Sequence, residues 1–562
     1  MPVIHRAEWL GHVDYSPWTW THQPAKKLAP RTTLTLLPVL ALAAATLVQA
    51  APPSKRDTAL QTPSTDVVHV IVTTRPGQST PVADRLKARG RTVVKKFTII
   101  NALAVDASAD DLDALDADPD VLDISLDALL VGSSTYTSKS DVQTAAPLQA
   151  TLGLPAQKLT GKNVGVVVID SGLAANGDFD GTKFYDFTSA ATNNAYDDYG
   201  HGTHVAGLIA SKGSLSQNAY AGIASGARLI ALKVLDAQGC GSTSTVISAI
   251  EFATANKAAL GVDIINLSLG HPILEPAATD PLVQSVEAAI RAGIVVVVSA
   301  GNVGKNIVTG MPGYAGILSP GNAPSAITVG ALDTANTTAR ADDVVPTYSS
   351  RGPTWYDAFA KPDLVAPGQN LVSDAAIGST LFNNYPDRQV TVAGGQTRFL
   401  RLSGTSMSAA VTSGVAALLI EASRTATGAT PSPDTIKQVL EYTALPLDGV
   451  DGLTQGHGAL NGAGAIALMS AIAGSTGAAV PDVVATVSPQ STTIAGQTLP
   501  WAQTVVWGNT VVWGNTVVWG NTVVWGNTVV WGNTVVWGNT VVWGNTVVWG
   551  NTVVWGNVND SR

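Results

Sequence analysis

The 562-residue chain has a single cysteine, Cys240. No intrachain disulfide can form, and no cysteine-based zinc site is available. Charge is scarce as well: only 13% of residues are charged, the net charge is −9, and there is no long basic run. That balance argues against nucleic acid or an anionic membrane surface as a partner. Toward the carboxyl end Gly-Asn pairs interrupt every apolar run, so no stretch there is long enough to span a bilayer. The hydrophobic share of 45% is ample for buried cores, and a chain this long divides into two to four domains. Stability must come from packing, with bound ions as the remaining resource.

Residues 1–50 read as a leader and signal peptide. Lys26, Lys27 and Arg31 precede an apolar stretch over 33–50, which ends in the small-residue triplet Val48-Gln49-Ala50. A membrane anchor is the competing reading, disfavoured by the alanine content, Pro38 and the cleavage-like triplet. Residues 66–130 alternate apolar and helical signals: strand 67–72, helix 81–89, a β-rich run 92–105, helix 109–115 and strand 121–124. The β-α-β-β-α-β order predicts a small ferredoxin-like α+β unit. Its acidic residues Asp110, Asp111, Asp113, Asp116, Asp118 and Asp120 read as a solvated helix face and loop.

Residues 131–160 are small and polar, a processing region. From 161 to 473, short β-branched runs at 164–169, 228–234, 263–269, 294–299 and 326–329 alternate with helical stretches such as 245–255 and 282–292. Buried parallel strands alternating with helices predict a doubly wound α/β sandwich, with sites at the carboxyl ends of strands. A Gly, Ser, Thr and Pro-rich linker occupies 474–500. Beyond it lies the tail 501–557, in which Thr-Val-Val-Trp-Gly-Asn recurs with a strict six-residue period from Gln503 to Asn557. The β-prone half and the Gly-Asn turn allow a meander of short strands or a β-solenoid with one repeat per side, against a tail with no fixed structure. So apolar a tail can self-associate or bind a surface.

Four short segments carry chemistry. Asp170 closes the strand 164–169, where a carboxylate is presented at a sheet edge, although a turn-capping aspartate would sit there too. His201-Gly202-Thr203-His204 opens an apolar helical run. Histidines three apart can share a helix face and hold a metal, but a zincin helix needs His-Glu-x-x-His, and that glutamate is missing. Ser406, in Ser403-Gly404-Thr405-Ser406-Met407, precedes a small-residue helix, where the dipole and free N–H groups favour a developing anion. A helix-capping serine is the bland alternative. Ser299-Ala300-Gly301-Asn302 follows an apolar strand and could be an ordinary turn.

Taken together, in the order Asp, His, Ser, these segments resemble the subtilase family of serine endopeptidases. The resemblance implies a subtilisin-like three-layer sandwich with a mainly parallel central sheet. It makes Asp170, His201 and Ser406 the triad, Asn302 the oxyanion donor and His204 structural. It assigns Ser268, Leu269 and Gly270 to one substrate-binding edge, Gly239 and Gly241 to the other, and Gly301 to the pocket. It further implies that 66–130 is a propeptide, at once folding chaperone and inhibitor. His271 stands where the family often has glycine, and the proline usual after the Ser-Met segment is absent.

Polypeptides are then the substrates and the propeptide the inhibitory partner. No cofactor is needed for the chemistry. Structural calcium is common in the family; Asp178 lies where a ligand often does, the loop 211–219 does not match, and the metal ligands are unassigned. The expectation is a secreted, self-processed serine endopeptidase, extracellular and with the option of surface association, without a membrane span in its mature form. The alternative is a cell-surface or assembly protein whose repeat tail carries the function and whose protease domain serves maturation only.

Overall fold

A computed structural model describes residues 54–62, 66–132, 145–154, 159–188, 194–306, 309–392, 397–475 and 487–502, together with the backbone of short strands between 505 and 555. The leader, most of the processing region and residues 476–486 of the linker lie outside the described residues.

The first unit runs β1 (Val68–Thr74), α1 (Ser79–Ala88), β2 (Val93–Phe97), β3 (Ala102–Ala107), α2 (Ala109–Ala117) and β4 (Val121–Leu126). Its four-stranded sheet has the order β2-β3-β1-β4, antiparallel throughout. Val70, Val72, Leu103 and Val105 point to one face, against Val82 and Leu86 of α1 and Leu112 and Leu115 of α2. Alternate residues Ile71, Ala102 and Ala104 point the other way, into the core of the large domain; this is the period-two pattern of a strand buried on both faces. The acidic set departs only in part from the solvated face expected for it, since Asp110 and Asp113 are exposed. Asp111 is buried, closes a capping box with Ser108 and pairs with Arg89 and Arg91. Asp118 and Asp120 pair with Arg85. A buried carboxylate persists only where such partners replace its water.

After β5 (Leu129–Gly132) and α3 (Ala145–Thr151), the large domain contains β6 (Gly165–Asp170), β7 (Lys183–Asp186), α4 (His201–Ala210), β8 (Arg228–Lys233), β9 (Cys240–Ser242), α5 (Thr243–Ala255) and α6 (Lys257–Leu260). These are followed by β10 (Ile264–Leu267), β11 (Leu269–Gly270), α7 (Pro281–Arg291), β12 (Val295–Ser299), β13 (Ile327–Leu332), β14 (Leu364–Pro367) and β15 (Leu371–Asp374). Then come α8 (Thr380–Asn384), β16 (Gln389–Thr391), β17 (Thr397–Leu402), α9 (Thr405–Thr427), α10 (Pro433–Thr443), α11 (Gly452–Gln455) and α12 (Gly462–Gly474).

Seven strands form one parallel sheet in the order β14-β13-β12-β10-β6-β8-β7. Its two faces explain the continuous apolar runs. Val166 and Val168 of β6 join the core that holds Val205 and Ile209 of α4 and Val411 and Val415 of α9. Val167 and Ile169 join the core that holds Val246 and Ile250 of α5 and Val283 and Val286 of α7. The result is the expected three-layer α/β sandwich. Helix α9 is long and apolar enough to cross a membrane, yet lies almost wholly buried in the protein.

One strand departs from expectation. Residues 263–269 do not run on as a single strand: β10 stays in the central sheet, and β11 turns out of it to pair with β5. The pivot is Ser268, whose hydroxyl accepts from Asn266 Nδ2 at 2.9 Å and donates to the Ser406 carbonyl at 3.1 Å.

A hairpin of β18 (Ser491–Ile494) and β19 (Gln497–Pro500) leads into the repeats. There each short strand pairs in parallel with the one three repeats further on, Val505 with Val523, Val511 with Val529 and Val517 with Val535. Three three-stranded sheets result. This is the solenoid arrangement with one repeat per side, not the meander.

Candidate active site

The carboxyl end of β6 and the amino ends of α4 and α9 converge, as the crevice rule for open α/β sheets requires. Asp170, the last residue of β6, is buried, and its Oδ1 lies 2.7 Å from His201 Nδ1. The same oxygen accepts the Ser171 N–H at 2.7 Å. His201 opens α4, held by Asp197: one carboxylate oxygen accepts from Gly200 N and the Ser171 hydroxyl, the other from Thr203 N and Oγ1. Gly202 has to be glycine, because a Cβ there would sit 2.4 Å from the Gly172 carbonyl oxygen and 3.2 Å from the Asp170 Cβ.

His204 is separated from His201 by its environment. It is wholly buried, with Nε2 at 3.1 Å from both the Leu371 and Leu400 carbonyls. Two carbonyl acceptors put the proton on Nε2, and burial pushes the group down to about 3, so the ring stays neutral. Only His201 meets Asp170, so the two rings do not form a metal pair.

Ser406 lies in the first turn of α9, buried, with its Oγ donating to the Ser268 carbonyl at 3.1 Å. Asn302 follows β12. Its Oδ1 accepts from Thr405 N at 3.0 Å and Thr405 Oγ1 at 3.1 Å, while that hydroxyl accepts from Gly301 N at 3.1 Å. These contacts fix the amide flip and turn Nδ2 away from Thr405. The Nδ2 is buried and has no acceptor among the described residues.

The two edges assigned to peptide binding flank one strand. β5 lies between β11 and β9, antiparallel to both. Leu269 and Gly270 face Gly132 and Val131; Cys240 and Gly241 face Val131 and Leu130. Gly132 N donates to the Gly239 carbonyl at 3.1 Å. Leu130 is fully buried in the core shared by Leu235, Val246 and Leu269. The occupying strand is thus the chain's own, directly after the small unit. Sequence reasoning did not foresee this, because a four-residue apolar stretch has no period to read. His271 extends the β11 edge through paired backbone bonds with Ser319.

Two residues near the site went unremarked in the sequence. Tyr199 sits beside His201, ring centroids 6.4 Å apart, and a Cβ on Gly239 would strike its ring. Lys233 is buried, donating to Asp198 Oδ1 and to the Ser171 and Leu235 carbonyls at 2.6–2.7 Å. A lone lysine inside the apolar run 228–234 was the available signal.

Asp178, the position weighed for calcium, is buried. Its Oδ1 already accepts Ser214 N at 2.6 Å, and it faces Asp374, whose acid is pushed up to about 7 by burial and by Asp178. No group of three metal-ligating side chains gathers among the described residues.

The sequence profile of the subtilase family matches residues 161–465. The chain is 38% identical over 312 residues to the serine protease AprX of Bacillus subtilis (strain 168), an alignment covering 54% of this chain and 66% of that protein. It is 32% identical over 365 residues to subtilisin E of the same organism, covering 65% and 81%. Among solved structures, fervidolysin from Fervidobacterium pennivorans, a keratinolytic enzyme related to subtilisin, superimposes with a TM-score of 0.57 at 21% identity, over 74% of this chain and 64% of that one. That likeness is one of fold. The chain therefore spans just under two thirds of AprX and of fervidolysin.

Proposed function

The chain belongs to the subtilase family, whose matched relatives are serine proteases, and on that premise we propose that it is a secreted serine endopeptidase, made as a zymogen that processes itself. Ser406 Oγ attacks the scissile carbonyl while His201 takes its proton, and Asp170 holds the imidazole by its Nδ1–H and stabilises the imidazolium. The oxyanion is received by Asn302 Nδ2 and by the backbone N–H at the start of α9. His201 then protonates the leaving amine. A water, deprotonated by the same ring, splits the acyl-enzyme and frees Ser406.

The observation that carries this reading is β5 in the cleft. A peptide held by backbone bonds on both edges is how an extended substrate is bound with little dependence on side chains, and Leu129–Gly132 follows the small unit directly. The small unit then acts as the inhibitory propeptide. Counting one residue on from the Leu269–Gly132 pair leads to Ser268, whose carbonyl holds the Ser406 hydroxyl. We therefore assign the self-cleaved bond as Ser133–Ser134. Secretion rests on the signal-like pattern of residues 1–50.

A fluorophosphonate probe should label the wild-type chain and leave Ser406→Ala unlabelled, and the processed form should begin at Ser134 on amino-terminal sequencing. Absence of both labelling and processing in the wild type overturns the enzyme reading. Labelling with a different amino terminus overturns the bond assignment alone.

A further inference from the structure

The small unit docks on the large domain through apolar contacts, through Glu251, which accepts from Thr98 N and Ile99 N, and through Asp127, which accepts from Ser244. At one place, however, it sets carboxyls against carboxyls. Asp123 of β4 faces Glu275, in the connection between β11 and α7, across a seam where Thr58 N and Oγ1 of the small unit donate to the Leu274 carbonyl, and Glu275 Oε2 is buried without a hydrogen-bond partner among the described residues. Glu275 is buried, and Asp123 accepts from the Ser125 hydroxyl at 2.9 Å. Two ionised carboxylates are acceptors only, so this contact needs a proton.

The other groups facing the pair worsen the crowding. From the small unit comes Asp57, buried, accepting from Leu60 N and Leu126 N. From the large domain comes Asp280, which caps α7 through Leu282 N and Val283 N and accepts from the Ser319 hydroxyl. Asp357, bonded to Ala277 N, lies beside Asp280, and His271 acts on Asp57 with the opposite sign.

We propose that one proton shared between Asp123 and Glu275 fastens the small unit to the large domain, so that the unit undocks as pH rises. Burial pushes Asp123 up to about 6; burial and then the charge of Asp123 push Glu275 up to about 9. Once the unit lifts off, both groups return to ordinary carboxyl values near ~4. Their bound values are raised, so the contribution to docking is complete below ~4 and is lost as pH climbs through the bound values. Where docking takes up one proton, its equilibrium constant falls about tenfold per pH unit. The docking switch stands on the interface alone; that it would relieve latency rests on the zymogen reading above.

The test uses the full chain with Ser406→Ala, which needs no catalysis. Amide hydrogen exchange of residues 121–132 is followed from pH 5 to 8.5 and corrected for the intrinsic pH dependence of exchange. Protection should fall steeply with pH, by up to about tenfold per unit. Adding Glu275→Gln, whose amide donates to Asp123 without a titrating proton, should leave protection flat. The same slope in both chains overturns the proposal. Amides of Val295–Ser299 report whether the large domain is intact; should Glu275→Gln unfold it, Asp123→Asn makes the same comparison from the other side, and an unchanged slope there overturns it too. An enzyme that proves inactive leaves this readout untouched.

Discussion

Gly132 donates its backbone N–H to the carbonyl of Gly239, and a Cβ built on it would lie 3.5 Å from His201 Nδ1 and 3.4 Å from Leu235 Cδ1. The chain's own strand therefore passes the imidazole at contact distance, with room for a methyl group and little more. Gly132→Ala should process at close to the wild-type rate. Gly132→Trp should accumulate as the uncleaved precursor on denaturing gels, because its ring has to displace Leu235 or His201. Equal processing of the two variants would remove Gly132 from the cleft.

Asn302 presents Nδ2 because Thr405 occupies its Oδ1. Asn302→Ala should lower kcat by about 10²–10³, equivalent to about 2.7–4 kcal/mol in the barrier, with KM little changed. Peptide hydrolysis under saturating and limiting substrate separates the two constants. A rise in KM at constant kcat would make Asn302 a binding residue instead.

Asp127 accepts Ser244 N at 2.8 Å and the Ser244 hydroxyl at 2.6 Å, so the small unit caps a helix of the large domain. Asp127→Ala should weaken docking by about 1 kcal/mol, the usual value of a cap. In the Ser406→Ala chain this should appear as a roughly fivefold loss of exchange protection in β5, with β12 unaffected.

His204 sets an acid limit. Its value is depressed from about 6.5 to about 3 by burial, so the stability it secures is complete above 6.5 and is lost as pH falls toward 3. His204→Gln retains a donor for one of the two carbonyls and cannot charge. Its Tm should decline less steeply than that of the parent between pH 6.5 and 4, measured in the Ser406→Ala background. Parallel declines would assign the acid limit to other groups.

Much of the site was legible from the four segments read together, since each alone kept a capping or structural alternative. Asp170, His201 and Ser406 stand in segments whose local chemistry is written out in consecutive residues: a strand end, a histidine at a helix start, a serine beside free helix N–H groups. The β-branched runs foretold the parallel sheet, because strands covered on both faces need apolar residues throughout. The break at Ser268 was not legible. Nothing in Asn266-Leu267-Ser268-Leu269 marks a change of sheet until Ser406 arrives from α9 to hold the pivot. The burial of Asp111 was hidden for the same reason, since its arginine partners come from another helix and the turn after it.

The sequence by itself determined which residues can do chemistry and which segments are strands, helices or repeats, because those properties depend on neighbours along the chain. Only the tertiary structure decided that residues 263–269 break at Ser268, that β5 fills the cleft between β9 and β11, and that Asp123 faces Glu275. Each of these depends on desolvation and on partners brought from distant parts of the chain, and burial changes the energy of a proton or a hydrogen bond far more than any local pattern can reveal.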